Sequence, residues 1–242
     1  LSLSKVEIEK VKHFHDVDSA IAYLYTKIDS SEKLEKALSF SIEGHKLQFR
    51  KSGEPYVIHP IVVASIVASI TDDESMAIAA LLHDIVEDTE TSIEDILEHF
   101  GEDVAHLVSG LTKIDLIRDN ELVPSSSDER LTASALTFRK MLLASIEDVR
   151  VLVVKLCDRL HNMLTLDALA EYKQHRISEE TLVVYAPIAH RLGISFLKNM
   201  LEDLSFSYLF KEEKHHIDNY LDSNYHAIEL SLNDFKEAIT KL

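Results

Sequence analysis

Glycine and proline are scarce in this chain, five and four residues among 242, where average usage would supply about 12% for the two together. Few hairpin turns can be built from so little turn chemistry, which excludes collagen-like and low-complexity classes and points to helices. Cysteine is almost absent. The single Cys157 excludes an internal disulfide, and its neighbours in VLVVKLCD predict a packed thiol in a reducing, cytosolic protein rather than a reactive nucleophile. Long apolar runs are missing too. The most apolar stretch, Ile61 to Ile70, contains two serines and is too short to span a bilayer, and no basic N-terminal region precedes an apolar core. Nothing in the sequence therefore directs it to a membrane or to export, and the initial Leu1 suggests a processed chain or a piece of something longer. Basic residues are in deficit, 25 against 42 acidic, for a net charge of −17. That balance repels nucleic-acid backbones and anionic membranes, so a phosphate-rich ligand must find a local basic pocket.

What is present fits a globular protein: 46% hydrophobic and 28% charged residues, at a length expected to form one large domain or two small ones. Asp29 or Ser30 can cap a helix through Leu34, Ala37, Leu38 and Ile42, ending near His45. Phe49 to Pro60, punctuated by Gly53, Pro55 and Pro60, reads as an irregular loop feeding a helix that begins around Pro60. Thr71 and Glu74 form a potential capping box for a helix that includes HDIVEDT, and Thr91 with Glu94 repeats the device for a helix stopped by Gly101. A helix follows from Glu102 to Lys113, then a mobile loop from Ile114 to Ser127 around Pro124 and three serines. Two long helices are expected at about Asp128–Ile146 and Val149–Leu166. Ser178 starts one interrupted by Pro187, Ser195 starts another, and the last thirty residues are amphipathic.

Three segments combine ligand-type residues with apolar runs: YVIHP with His59, LLHDIVEDT with His83 and Asp84, and VVKLCDRLHNM with Asp158. Glu87 and Asp88 stand at i+4 from His83 and Asp84 if the helix is continuous. Burying several polar groups without partners costs about 1–3 kcal/mol each, so a cation or a wet cleft is required. Two imidazoles and two carboxylates form a mixed N/O set suited to a divalent ion with open positions, manganese fitting best and iron, zinc or magnesium remaining open. An isolated His-Asp pair is most often a surface pair. Of the thirteen histidines, His13, His15, His99, His106, His175, His215, His216 and His226 sit in charged or unpatterned contexts and are expected in solvent. The ordered set of His, His-Asp and a remote Asp is what points to a metal.

From about Lys33 to Phe210 the chain resembles the hydrolase domain of the RelA/SpoT alarmone enzymes, within the HD phosphohydrolase superfamily. RKSGEPYVIHP, LLHDIVEDT, FGEDVAHLVSGLTK, FRKMLLA, DVRVLVVKLCDRLHNM, YAPIAHRLGI and LEDLSFSYL carry the resemblance in order. It implies an all-α HD-domain fold holding one Mn2+ per chain, and removal of the 3′-pyrophosphate from guanosine tetra- and pentaphosphate to give GDP or GTP, a bacterial stringent-response activity. By position it implies His59, His83, Asp84 and Asp158 as metal ligands and Glu87 and Asp88 as the acidic pair that activates the attacking water. Arg50, Lys51 and Ser52 match the loop that holds the nucleotide, arginine being apt for stacking on a base or gripping phosphate and lysine supplying a point charge. Asn162 and Thr165, at i+4 and i+7 from Asp158, match residues lining the nucleoside pocket, with Lys155 on the same face.

Two departures from the family pattern concern substrate grip: Leu164 stands where an arginine is usual, and the segment between Lys113 and Phe138 is longer, with ASALTFRKM lacking the polar residues that often precede FRKM. The C-terminal motifs resemble the segment leading into a synthetase domain that this chain lacks. The resemblance therefore divides the chain into a hydrolase domain, 1–210, and linking helices, 211–242, with synthetase and regulatory domains following in a longer protein. Two other functions share parts of this pattern. One is an HD phosphohydrolase acting on a dNTP, a cyclic nucleotide or the 2′-phosphate of NADPH; the other is a non-catalytic nucleotide-sensing module.

Overall fold

The computed structural model describes residues 8, 11, 12, 14–119, 136, 138, 139, 141, 143 and 148–240. Among the described residues the chain is all-helical, the one sheet-like contact being an isolated antiparallel bridge between Phe49 and Pro55. None of the described helices is long and apolar enough to cross a membrane.

The centre is built by α3 (Ile58–Ala68) and α4 (Glu74–Leu82), which pack on each other. Every residue of α3 is buried, as a helix apolar on all sides must be. Around this pair stand α1 (Val17–Leu24) against α3, and α2 (Glu32–Gly44) and α7 (Glu102–Asp119) against α4. The helix α8 (Val149–Leu164) lies across α3, α4 and α7. In α2 the residues Leu34, Ala37 and Leu38 face the core as their spacing predicts. Cys157 is fully buried in α8, and burial pushes its thiol pKa up, in keeping with an inert packed thiol.

The helix starts are shifted from those expected, because neighbouring side chains compete for each cap. Ser31, not Asp29 or Ser30, caps α2, accepting from Leu34 N at 3.0 Å. Asp73 rather than Thr71 caps α4, accepting from Met76 N at 3.2 Å. Glu74 does not close the expected box, since its carboxylate is hydrogen-bonded by Ser31 Oγ at the start of α2. Before α6 (Ile93–Phe100) the box is made by Ser92 and Asp95 instead of Thr91 and Glu94, with Ser92 N donating to Asp95 at 2.8 Å. Each such cap is worth about 1 kcal/mol, so a shift of one residue costs little. Gly101, at φ 85°, ends α6 in the left-handed region, where a side chain would be strained.

Two further expectations are corrected. The helix α7 runs through 114–119, so the loop placed at Ile114–Ser127 does not begin where the sequence suggested; 120–127 and most of the helix expected at Asp128–Ile146 lie outside the described residues. The helix expected at Ser178 starts at Glu171, with Ser178 buried inside α9 (Glu171–Glu180). Pro187 does not interrupt the helical path. A π turn, Thr181–Tyr185, widens the backbone just ahead of it, with Ala186 N bonding to Thr181 O, and α10 (Ala186–Arg191) continues. This wider turn leaves room for a residue that lacks an N–H and whose ring would otherwise press on the preceding turn. The helix α11 (Ser195–Leu209) then packs on α8, α9 and α10, and α12 (Lys211–Thr240) packs on α11.

Candidate metal centre

The sequence LLHDIVEDT carries a helical pattern, but α4 ends at Leu82 and the chain turns at His83 and Asp84 before the short α5 (Ile85–Asp88). At this turn the His83 ring folds back so that Nδ1 donates to Ala80 O at 2.7 Å. Its Nε2 then points inward, buried and with no well-aligned hydrogen bond. The turn aims His83 and Asp84 at the C-terminal half of α8, while Glu87 and Asp88 come out exposed at the rim rather than buried beside them.

His59, on the first turn of α3, faces the same point. Its Nε2 lies 3.2 Å from Asp158 Oδ1 and 3.7 Å from Asp84 Oδ2. His83 Nε2 is 3.1 Å from Asp84 Oδ1 and 3.9 Å from Asp158 Oδ1. Among the described residues, His59, His83 and Asp84 each offer a ligand atom within 4.8 Å of the others. Asp158 borders this group, with its oxygens also engaged by Lys155 Nζ at 2.8 Å and Asn162 Nδ2 at 2.6 Å.

The electrostatics are those of a site short of positive charge. Burial works against a protonated His83, but the Asp84 carboxylate outweighs it and lifts the pKa to about 9. Burial, with Arg50 nearby, depresses His59 to about 4. Burial favours neutral acids at Asp84 and Asp158, yet both are held well below the usual carboxylate range, Asp84 by His83 and Asp158 by Lys155. A divalent ion supplies the charge that His83 otherwise carries as a proton. The buried His83 Nε2, two nearby carboxylates and the mixed N/O donor set fit such an ion.

A second cluster adjoins the first. The segment between α2 and α3 reverses at Gly53, whose φ of 99° suits the turn, with Gly53 N bonding to Arg50 O and Arg50 N to Glu54 O, both at 2.9 Å. Arg50 turns inward and donates through Nη2 to Asn162 Oδ1 at 3.1 Å and to Thr165 Oγ1 at 3.2 Å. The structure thus brings together Arg50, Asn162 and Thr165. It leaves Lys51 and Ser52 exposed, with Ser52 Oγ on Glu54 at 2.7 Å, and turns Lys155 inward to Asp158. Leu164 is buried in the apolar core.

Several contributors were missed from sequence. Tyr56 OH donates to Asp84 Oδ2 at 2.6 Å. His161 Nδ1 meets His59 Nδ1 at 2.6 Å. His45 packs at a tilt against Tyr56 and bonds Gln48 at 2.7 Å, and Gln48 Nε2 donates to Asp88 O at 2.9 Å, tying the Arg50 segment to α5. A signal for His161 existed: at i+3 from Asp158 it shares that helical face. The histidines expected in solvent are exposed wherever their side chains are described: His15, His99, His106, His175, His215 and His216.

A family model described as an HD domain matches residues 37–195, a span holding every residue of both clusters. The chain is 44% identical over 199 residues to a guanosine-3′,5′-bis(diphosphate) 3′-pyrophosphohydrolase of Aquifex aeolicus, covering 82% of this chain and 27% of that protein. It is 51% identical over 174 residues to a probable enzyme of the same name from Synechocystis, covering 72% of this chain and 22% of that one. A Myxococcus xanthus relative named GTP pyrophosphokinase is 48% identical over 180 residues, with 74% and 23% covered. The chain therefore spans about a quarter of the length of these curated relatives. A solved structure described as a metazoan ortholog of SpoT that hydrolyzes ppGpp is similar at a TM-score of 0.53 and 27% identity, over 72% of this chain and 94% of that one.

Proposed function

The chain belongs to the HD-domain family, and from that premise we propose that it is a metal-dependent hydrolase removing the 3′-pyrophosphate of guanosine tetra- and pentaphosphate, yielding GDP or GTP. The observation that carries the reading is the group of buried His59 and His83 with half-buried Asp84 beside Asp158, adjoining the Arg50 cluster. The relatives named as 3′-pyrophosphohydrolases support the substrate. Mn2+ is the proposed ion, one per chain, held by His59, His83, Asp84 and Asp158. When bound, a divalent ion supplies Lewis acidity and neutralises phosphoryl charge.

The chain's own residues divide the remaining work. Glu87 and Asp88, on the short α5 that follows His83 and Asp84, take the proton of the attacking water in this reading. Burial and the Asp84 charge raise the Asp88 pKa, the direction that makes a carboxylate a better base near neutral pH. Arg50, Asn162 and Thr165 line the nucleoside pocket, and exposed Lys51 and Ser52 meet phosphate at its mouth. Lys155 offsets the charge of Asp158 from inside. In a protein of net charge −17 this is the local basic patch a polyphosphate requires. The activity places the protein in bacterial stringent-response control in the cytoplasm, with 1–210 as the hydrolase domain and α12 as a link to synthetase and regulatory domains.

The test is incubation of guanosine tetraphosphate with the protein and Mn2+, separating nucleotides and pyrophosphate by anion exchange. GDP and pyrophosphate in equal amounts are expected, with loss of turnover in EDTA and recovery on Mn2+ addition. Intact substrate in the presence of bound Mn2+ overturns the substrate assignment; undiminished turnover in EDTA overturns the metal.

A further inference from the structure

The two histidines of the centre are held in different ways. His83 Nδ1 faces the carbonyl of Ala80. A carbonyl can only accept, so Nδ1 keeps its proton and Nε2 is the nitrogen that gives up its own and offers a lone pair when an ion enters. His59 Nδ1 faces another imidazole, His161 Nδ1, at 2.6 Å. The ring centroids are 4.9 Å apart and the planes 25° from parallel. With the centroids that far apart and the nitrogens that close, the rings meet edge to edge, as an N–H···N bond requires. One ring must donate and the other accept. His161 is 2% exposed, so solvent does not readily replace it.

We propose that His161 is a positioning residue that sets the tautomer of His59 and reverses it when a cation enters. The inference rests on the metal reading above. With an ion present, His59 must offer the Nε2 lone pair that faces Asp84 and Asp158, so its proton sits on Nδ1 and is donated to a bare His161 Nδ1. Without an ion, His59 Nε2 at 3.2 Å from Asp158 Oδ1 is placed to donate, and its Nδ1 then accepts from His161. Switching between these states moves one proton from His161 Nδ1 to His59 Nδ1. The His59 Nε2 proton leaves to solvent and His161 Nε2 takes one up, so both rings stay neutral. The Ala80 carbonyl offers His83 no such reversal.

The test is Mn2+ titration of the metal-free protein and of His161→Leu and His161→Asn, with free Mn2+ read by electron paramagnetic resonance and folding by circular dichroism. His161→Leu should bind Mn2+ about 10–100-fold more weakly, the usual effect of losing such a partner. His161→Asn, whose amide can accept or donate near the Nδ1 position, should recover most of it. A folded His161→Leu with unchanged affinity overturns the inference and leaves the metal reading standing. No Mn2+ binding by the unsubstituted protein overturns both. Should the variants not fold, imidazole 15N shifts of the unsubstituted protein with and without Zn2+ decide: exchange of the protonated Nδ1 from His161 to His59 is expected, and an unchanged pair of tautomers overturns the proposal.

Discussion

Two charged clusters hold the core helices together, and only one of them is closed. At the first, Arg150 joins three carboxylates: Asp148 before α8, Asp73 before α4 and Asp103 in α7. Nη2 reaches Asp103 at 2.6 Å and Asp148 at 2.8 Å, Nη1 reaches Asp73 at 3.2 Å and Asp103 at 3.1 Å, and Nε reaches Asp148 at 3.0 Å. Every nitrogen of the guanidinium is engaged, and its side chain is 29% exposed. At the second, His59, His83, Asp84 and Asp158 crowd together, while the buried His83 Nε2, 3.1 Å from Asp84 Oδ1, makes no well-aligned hydrogen bond. A satisfied cluster at the edge of solvent is a structural tie. An unsatisfied one inside the core retains unspent binding capacity, and in a folded protein such capacity points to a ligand.

The sharpest way to break this comparison is Asp158→Ala. Removing a proposed ligand from the open cluster should lower Mn2+ affinity by more than about 100-fold, beyond the loss expected for a partner outside the ligand set, and take turnover to background. Isothermal titration with Mn2+ and the nucleotide assay check both. Near-normal affinity would make Asp158 a structural acid like those around Arg150. Next in size is Glu87→Gln. Glu87 is exposed on the rim, so the variant should keep stability and bound Mn2+ while kcat falls about 10²–10⁴-fold, the range for loss of a general base. A matching fall in Mn2+ affinity would move Glu87 into the ligand set.

Much of this was legible in sequence, and the limits have physical causes. The helices α3, α4 and α8 announce themselves by apolar runs, and His59, His83, Asp84 and Asp158 by interrupting those runs. Caps were misplaced by a residue or two where Thr71 and Asp73, or Thr91 and Ser92, compete, because packing between helices decides among equals. The turn at His83 was invisible because LLHDIVEDT satisfies a helical pattern; it is stabilised by a ring-to-backbone bond that no periodicity reports. Tyr56 and His161 escaped for a related reason. Their roles come from contacts made in three dimensions, Tyr56 to Asp84 and His161 to a ring 102 positions away in sequence. Leu164 reads in sequence as a lost charge, yet in the fold it fills the core.

Arg150→Ala sharpens the other side of the comparison. It leaves three carboxylates facing one another without their cation, and should cost about 1–2 kcal/mol, modest because the network is partly solvated. For a chain of this size that lowers Tm by roughly 2–8 °C. Mn2+ affinity and kcat at a temperature well below Tm should be unchanged. A loss of Mn2+ binding in the folded variant would mean that the two clusters are coupled through α8, whose first turn carries Arg150 and whose second half carries Asp158.

The smallest effect is a dependence on acid. Hydrogen bonds from Arg150 hold Asp103 at about 2, and lower Asp148 as well. A carboxylate depressed in the folded state contributes stability that is present above its unfolded pKa, near 3.8, and is lost as pH falls through the folded value. The Tm gap between the unsubstituted protein and Arg150→Ala should therefore be constant above about pH 5 and narrow as pH falls toward 2. The open cluster has an acid limb of its own, since Asp84 and Asp158 are also held low, and that limb is common to both proteins. In metal-free protein the open cluster adds an alkaline limb. His83, raised to about 9, contributes most below its unfolded pKa of about 6.5 and loses that contribution as pH rises through 9, and Arg150→Ala leaves this alkaline limb unchanged. Thermal melts of both proteins in chelator across pH 2 to 10 separate the limbs. A gap that stayed constant down to pH 2 would mean that Arg150 is not what holds these carboxylates ionised, and the closed cluster would lose its claim to be the tie between α4, α7 and α8.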